Sequence, residues 1–128
     1  MLELARVMAA LPDVERLRTT TGPQRAADAA RGLGRRRTRR PPPGRARLRR
    51  AIGILDRLAP GGASCLRRAL LEMALDAGAA EATLVIRLHY QSGRLEGHAW
   101  LSSDDGENGP PGLLDLGLTK GPEASPRR

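Results

Sequence analysis

The first third of the chain carries apolar residues at the three- and four-residue spacing of helices. Residues 2–11 place four of them on one face, which predicts a first helix: Leu4, Val7, Met8 and Leu11. Pro12 is expected to end or kink this helix, because proline lacks the amide hydrogen that a helix interior needs. A second short helix is predicted over residues 13–17. A third is predicted over the alanine-rich segment Pro23–Arg31, which has proline in its first turn.

Two further helices are predicted in the middle of the chain. Apolar residues at helical spacing predict a helix over residues 45–59, and the Pro-Gly-Gly run at 60–62 ends it. Ser64 is a good N-cap for the next helix, because its hydroxyl can accept a hydrogen bond from a free amide of the first turn. That helix is predicted over Cys65–Ala77 and has the most regular apolar face in the chain, with Gly78 as its C-cap.

After residue 82 the hydrophobic pattern changes to a period of about two residues, which is the period of a strand. Thr83–Tyr90 and Arg94–Leu101 are predicted to form an antiparallel hairpin through a turn at residues 91–93. Leu113–Leu118 is predicted to be a third short strand. Helices followed by a small antiparallel sheet predict the α+β fold class.

Composition narrows the class of protein. The 128 residues, of which 40% are hydrophobic, are enough for one domain. Leucine and alanine must build its core, because Tyr90 and Trp100 are the only aromatic residues. The sequence has no apolar run of about 18 residues, so no transmembrane helix is predicted. The N-terminus contains the acidic Glu3 and only a short apolar stretch, which is unlike a signal peptide. A cytoplasmic protein is therefore predicted. A single cysteine excludes an intrachain disulfide and a cysteine-rich zinc site, and no cofactor or metal site is predicted.

The net charge of +8 comes from one segment. Residues 31–50 contain ten arginines and no acidic residue. Because three prolines interrupt them, Gly32–Gly44 is predicted to be an exposed linker or long loop. The segment either binds phosphate groups or another anionic partner, or is a solvated connector whose arginines reflect a GC-rich genome. It has no aromatic residue to stack on bases, so nucleic acid is not favoured. It would separate a helical N-terminal part, residues 1–44, from a core of residues 45–128.

Cys65 lies where a helix would present a reactive thiolate. It is predicted to be the first residue of its helix, where the helix dipole and the free amides favour negative charge. Arg67 and Arg68 add positive charge nearby, and the amides of the same turn could stabilise an oxyanion. The alternative is that Cys65 is a buried cysteine that acts as a small hydrophobic residue.

His98 is the candidate base for that thiol. It follows Cys65 by 33 residues and shares a face of its predicted strand with Trp100, because strand side chains alternate. A thiolate and an imidazole are the minimum apparatus for acyl transfer: the sulfur attacks a carbonyl carbon, and the imidazole gives a proton to the leaving amine. The alternative is a structural histidine. His89 lies on the other strand, and no second feature supports it.

A third group is expected to orient the imidazole and to stabilise its charged form. Asp115 follows His98 by one loop and would lie beside it if their two strands are neighbours. Asp104 and Asp105, in the loop itself, are alternatives for this role, unless they are solvated loop residues.

Two separated motifs together resemble a known family. The first is CLRRAL at residues 65–70, at the start of a helix, and the second is HAW at residues 98–100, in a strand. In type, order and spacing they are similar to motifs of the small transglutaminase-like cysteine peptidases of lasso-peptide biosynthesis. These are the leader peptidases, or B proteins, also described as microcin-processing proteins. The resemblance covers residues 45–118.

The resemblance implies a papain/transglutaminase-like fold and a reaction. A helix would present Cys65 as the nucleophile, and an antiparallel sheet would present His98 as the base and acid, with Asp115 as the third member. The family cleaves a leader segment from a ribosomally made precursor peptide. The implied partners are that precursor, a separate leader-binding protein and an ATP-dependent cyclase that closes the lasso ring.

Two other functions remain open. A non-catalytic module on a degenerate scaffold of this kind would bind a peptide, or would bind phosphate groups through Arg35–Arg40. Another acyl-transfer reaction, such as transamidation, would use the same cysteine, histidine and aspartate.

Overall fold

Helices precede a small sheet in the computed structural model, which describes residues 2–91, 93–102 and 114–119. The helices are α1 (Leu2–Thr20), α2 (Pro23–Gly34), α3 (Pro42–Leu58), α4 (Cys65–Leu75) and α5 (Ala77–Ala80). The strands are β1 (Thr83–Gln91), β2 (Arg94–Ser102) and β3 (Leu114–Thr119). The predicted α+β class is confirmed. None of the helices in these ranges is long and apolar enough to cross a bilayer.

The first helix is one continuous element instead of the two predicted. α1 runs through Pro12. A proline inside a helix removes one backbone hydrogen bond and costs about 3 kcal/mol. Val7 and Val14, on either side of the proline, are fully buried. Packing of the flanking turns against the core therefore offsets the cost, which a local reading of the pattern does not include.

The arginine-rich segment contains less loop than the predicted linker Gly32–Gly44. α2 continues to Gly34 and α3 begins at Pro42, so the connection consists of residues 35–41. The prolines do not prevent α3, because Pro42 and Pro43 occupy its first turn, where a helix needs no amide hydrogen. The prediction of a linker was wrong at both of its ends.

The fourth helix ends at Leu75, two residues before the predicted end. Asp76 is buried and adopts an extended backbone. Its carboxylate accepts hydrogen bonds from the amide of Arg40 at 3.1 Å, from Nε of Arg45 at 3.0 Å and from the amide of Gly78 at 3.0 Å. Two of these donors come from distant parts of the chain, so the local apolar pattern could not predict where the helix stops.

One hydrophobic core joins the N-terminal helices to the rest of the described chain. Its members from α1, α2, α3, α4 and β1 include Val7, Val14, Ala26, Ala27, Ala30, Leu48, Ile52, Leu70, Leu71, Met73, Leu75 and Leu84. α2 and α4 approach so closely that a Cβ atom added at Gly34 would lie 1.9 Å from the carbonyl oxygen of Met73. The core therefore continues across residue 44, where the composition predicted a division.

β1 is the central strand of the sheet, with β2 and β3 antiparallel on its two sides. The register pairs Ile86 with Ala99 and Arg87 with His98. Ile86 and Ala99 pack against the core, so His98 lies on the opposite face of β2, because strand side chains alternate. β2 is an edge strand of the described sheet and contacts α4, which begins with Cys65.

Candidate active site

A glycine loop and an N-cap place Cys65 at the start of α4. Gly61 and Gly62 have φ values of 86° and 84°, a left-handed conformation that favours glycine. Ser64 has an extended backbone, and its hydroxyl accepts a hydrogen bond from the amide of Arg67 at 3.2 Å. The predicted N-cap is confirmed, and Cys65 is the first helical residue.

The sulfur of Cys65 lies against the backbone of β2, next to the two residues that flank His98. The amide of Ala99 donates a hydrogen bond to Sγ at 3.2 Å, and Sγ lies 4.0 Å from the carbonyl oxygen of Gly97. The N–H of Ala99 and the N-terminus of α4 both direct partial positive charge at the sulfur. Cys65 is only half-buried, so the thiol is not enclosed in the core as an inert apolar group.

Two amides at the start of α4 are available to a ligand. The amide of Arg67 is bonded to the hydroxyl of Ser64, and that of Arg68 donates to the carbonyl oxygen of Ser64 at 3.0 Å. The amides of Cys65 and Leu66 form no hydrogen bond within the described part of the chain. The first amides of a helix have no intrahelical partner, so these two can donate to a developing oxyanion.

Cys65 and His98 line one cavity of about 430 Å³. The glycine loop, the start of α4 and the neighbouring part of β2 form most of its wall, and Arg18 of α1 also lines it. The side chain of His98 is exposed. A volume in this range is typical of pockets that bind a small molecule or a few residues of a peptide.

Trp100 lies on the same face of β2 as His98, in agreement with strand alternation. The guanidinium of Arg87 lies 5.5 Å from the centre of the Trp100 ring, a cation–π contact. Arg87 is also the residue of β1 that pairs with His98. The structure therefore adds a cation beside the candidate base, which sequence analysis did not predict.

The order of the strands separates Asp115 from His98. β1 lies between β2 and β3, and its Arg87 pairs with His98 on one side and with Asp115 on the other. The two backbone positions are two strand spacings apart, about 10 Å. Their strands are not neighbours in the described sheet, because β3 adds to the far side of β1. The role of Asp115 as the third group stays a prediction. Asp104, Asp105 and the side chain of His89 lie outside the described residues.

Arg67 and Arg68, which the sequence places near Cys65 as positive charges, are both paired with carboxylates. Arg67 is buried, and its guanidinium donates to Asp56 at 2.6 Å and to Glu15 at 2.7 Å. Arg68 forms a second ion pair with Asp56 at 2.8 Å. Both guanidinium groups are therefore in ion pairs with carboxylates. We call these four residues, Glu15, Asp56, Arg67 and Arg68, the Asp56–Arg67 network.

The Asp56–Arg67 network holds the loop that precedes Cys65. The amide of Ser64 donates to both carboxylate oxygens of Asp56, at 2.9 and 3.2 Å. Arg67 donates to the carbonyl oxygens of Gly62 at 3.0 Å and Pro60 at 3.4 Å. Asp56 and Arg67 are 0% and 1% exposed, so these are buried, charge-assisted hydrogen bonds. Asp56 and Arg67 are thus positioning residues for the thiol.

Glu15 connects the Asp56–Arg67 network to α1 and to the cavity. Arg18 forms an ion pair with Glu15, and its Nε lies 3.2 Å from the carboxylate. Hydrogen bonds from Arg18 and Arg67 lower the pKa of Glu15 from 4.5 to about 2. Glu15 in turn raises the pKa of Arg67. The carboxylate is therefore ionised at neutral pH, and it anchors Arg18 at the wall of the cavity.

Comparison with known proteins places this geometry in a family. A family model described as the transglutaminase-like superfamily matches residues 5–111. The chain belongs to the transglutaminase-like superfamily. No curated protein and no solved structure gave a significant match.

Membership in the transglutaminase-like superfamily confirms the predicted fold family and the general kind of chemistry, because this superfamily includes cysteine peptidases. The match includes both Cys65 and His98. Among the described residues there is no group of three or more His, Cys, Asp and Glu side chains that could hold a metal ion.

Sequence analysis of this transglutaminase-like chain missed the Asp56–Arg67 network, although the pattern holds a signal for it. Asp56 follows Leu48 and Ile52 at four-residue spacing, on the buried face of α3. Arg67 precedes Leu71 by four residues, on the buried face of α4. Buried charges require partners, so opposite charges on the apolar faces of successive helices predict a buried ion pair.

Proposed function

We propose that the protein is a cysteine peptidase that removes the leader segment from a ribosomally made lasso precursor peptide. The observation that carries the proposal is the environment of Cys65. This residue begins α4, its sulfur accepts the N–H of Ala99, and it shares one cavity with His98. Superfamily membership supports cysteine chemistry, and the CLRRAL and HAW motifs support the leader-peptidase branch.

The reaction uses two acyl-transfer steps. The thiolate of Cys65 attacks the carbonyl carbon of the scissile peptide bond, and the amides of Cys65 and Leu66 donate to the oxyanion. His98 holds the proton taken from the Cys65 thiol and gives it to the amine of the core peptide, which leaves with a free N-terminus. Water, deprotonated by His98, then attacks the thioester, releases the carboxylate of the leader and restores the thiol.

The proposal includes two partner proteins in the cytoplasm. A separate leader-binding protein delivers the precursor, and an ATP-dependent cyclase uses the new amine to close the lasso ring. The cavity at Cys65, of about 430 Å³, accommodates the residues around the scissile bond and not a whole leader. Recognition of the leader by a separate protein accords with that size.

The test is co-incubation of the purified protein with a lasso precursor and its leader-binding protein, with the products identified by mass spectrometry. We expect Cys65→Ala and His98→Ala to slow cleavage by at least about 10³-fold, because each removes a reacting group. The matched control is Arg57→Ala, an exposed position on α3 that should cleave at the wild-type rate.

Cleavage by Cys65→Ala at the wild-type rate would contradict the proposal. Addition of a primary amine separates hydrolysis from transamidation. A hydrolysed leader as the main product supports a peptidase, whereas an amine-exchanged leader as the main product assigns the same site to amide exchange.

The separation of Asp115 from His98 adds a prediction about the third group. We expect Asp115→Asn to leave kcat/KM within about threefold of the wild type, because two strand spacings separate its backbone from that of His98. A loss near 10⁴-fold, the size seen when a catalytic triad loses its carboxylate, would show that His98 depends on Asp115.

A further inference from the structure

A second cavity, of about 330 Å³, lies at the connection between α2 and α3. Five of its lining residues are arginines: Arg6, Arg36, Arg37, Arg39 and Arg40. None of the described residues that line it is acidic. We call this cavity the arginine cleft. Concave sites lined by one sign of charge concentrate ligands of the opposite sign.

One arginine of the cleft is part of the fold. The amide of Arg40 donates to Asp76 at 3.1 Å, and its Nε donates to the carbonyl oxygen of Leu75 at 3.2 Å. Its guanidinium also forms an ion pair with Glu3, which lies 3.8 Å from Arg6. Arg40 therefore shapes the wall of the cleft, and its charge is balanced.

Three other arginines of the cleft have charges that nothing in the described chain balances. Arg36, Arg37 and Arg39 are exposed and form no ion pair with a described residue. Arg39 is packed over Gly78, where a Cβ atom would lie 3.4 Å from its Nε. Three exposed arginines without an ion pair among the described residues thus line one concavity, and a ligand with several negative charges would satisfy their hydrogen-bond donors.

Carboxylates on a peptide fit this cleft better than a nucleic acid does. A guanidinium binds a carboxylate or a phosphate through two parallel hydrogen bonds, so the lining and the shape of the cleft decide between them. Among the described residues, no aromatic ring on which a base could stack lines the cleft. The cleft is also a small concavity, whereas a nucleic-acid interface is an extended surface that follows many phosphates.

The position of the cleft relates it to the active site. α4 has 11 residues, with Cys65 at its first position and Leu75, a lining residue of the cleft, at its last, which gives a separation of about 15 Å. α1 gives a similar separation, because Arg18 lines the active-site cavity and Arg6 lines the cleft, about 18 Å apart along the helix. An extended peptide covers such a distance with about five or six residues.

We propose that the arginine cleft binds an acidic stretch of the peptide substrate, about five or six residues from the bond that Cys65 cleaves. The identity of the ligand as the substrate rests on the proposed peptidase function. The chemistry of the ligand, a peptide with several adjacent carboxylates, rests on the cleft alone.

Fluorescence anisotropy with the full-length Cys65→Ala protein tests the site without turnover. The probe is a labelled peptide with six consecutive glutamates, compared with a peptide that has six glutamines and with a labelled oligothymidine of equal charge. The cleft variant is Arg36→Ala/Arg37→Ala/Arg39→Ala. The matched control, Arg25→Ala/Arg50→Ala/Arg57→Ala, removes the same charge from exposed positions that do not line the cleft.

We expect the glutamate peptide to bind and the glutamine peptide not to bind. The cleft variant should weaken binding by about tenfold or more at low salt, and the control variant by less than about threefold. Equal weakening in the two triple variants would overturn the proposal, because binding would then follow net charge alone. Tighter binding of the oligothymidine than of the glutamate peptide would also overturn it and would assign the cleft to phosphates.

Failure of this proposal and failure of the peptidase are distinguishable. Binding is measured on a protein that cannot form a thioester, so an inactive wild-type enzyme that still binds the acidic peptide would contradict only the peptidase. An active enzyme whose cleavage of a lasso precursor is unchanged by the cleft variant, and which does not bind the glutamate peptide, would contradict only the cleft.

Discussion

Arginines dominate two regions of this protein and do different work in each. Next to the loop that precedes Cys65, Arg67 is buried and donates hydrogen bonds to Asp56 and Glu15. The arginine cleft is lined by several exposed arginines and by no acidic residue of the described part of the chain. The same side chain therefore organises a loop in one region and presents positive charge in the other.

Neighbouring residues account for this difference. α1 and α3 each bring a carboxylate to Arg67, and a buried charge is tolerated only when such partners meet it. Residues 31–50 contain no acid of their own, and among the described residues Glu3 of α1 is the one acid paired with guanidinium groups of the cleft, those of Arg40 and Arg6. The number of arginines in a segment therefore does not predict their role. The role depends on which carboxylates lie close enough to pair with them.

The largest expected effect is the loss of stability when the buried Arg67 is replaced. Arg67→Met should lower the free energy of unfolding by about 3–5 kcal/mol, because it leaves Asp56 buried without its main partner. Arg36→Met, the matched change in the arginine cleft, should change it by no more than about 0.5 kcal/mol. Urea unfolding of the two variants measures the difference, and equal effects would contradict the contrast between the regions.

A double variant separates the ion pair from simple loss of packing. If the cost of Arg67→Met is the uncompensated charge of Asp56, then adding Asp56→Leu should recover part of the lost stability. Costs that add without recovery would show instead that each side chain acts through its own separate contacts, such as those of Arg67 with the carbonyl oxygens of Pro60 and Gly62.

A smaller effect on the free energy of unfolding is expected from the protonation of Glu15 at low pH. The pKa of Glu15 is about 2 in the folded protein and 4.5 for an ordinary glutamate, so the folded state is favoured above pH 4.5. That stabilisation is lost progressively as the pH falls from 4.5 towards 2. Since about a third of the side chain is exposed, solvent screening makes the effect smaller than that of Arg67→Met.

Urea unfolding of the wild type and of Glu15→Gln between pH 2.5 and 7 tests this prediction. The difference between the two curves should be nearly constant above pH 5 and should shrink at lower pH. Glu81→Gln, at an exposed position, is the control for general acid effects. A difference that does not change with pH would mean that the ion pairs of Glu15 contribute nothing to stability.

The smallest expected effect is the change in Tm when the exposed arginines of the cleft are replaced. The variant Arg36→Ala/Arg37→Ala/Arg39→Ala should shift Tm by less than about 4 °C, because these side chains are exposed and unpaired among the described residues. At low salt the shift should be upward, since like charges are removed. Differential scanning calorimetry at two salt concentrations measures it, and a large drop in Tm would show that these arginines are structural.

The features that the sequence predicted best are those that depend on residues a few positions apart in the chain. Ser64 as N-cap and Cys65 as first helical residue depend on a hydroxyl and an amide three residues apart, and both were confirmed. The change to strand after residue 82 was also local. Prediction was wrong at Pro12, where burial of Val7 and Val14 on either side keeps α1 continuous.

By itself, the sequence determined the order of helices and strands and the position of the thiol at a helix N-terminus, because backbone hydrogen bonding and capping act within a few residues. Only the tertiary structure decided that Sγ meets the amide of Ala99, that Arg67 is neutralised by Asp56 and Glu15, and that β3 lies on the far side of β1 from His98. These contacts join residues up to 52 positions apart. Their partners are selected by which faces can be buried together, and no local pattern contains that information.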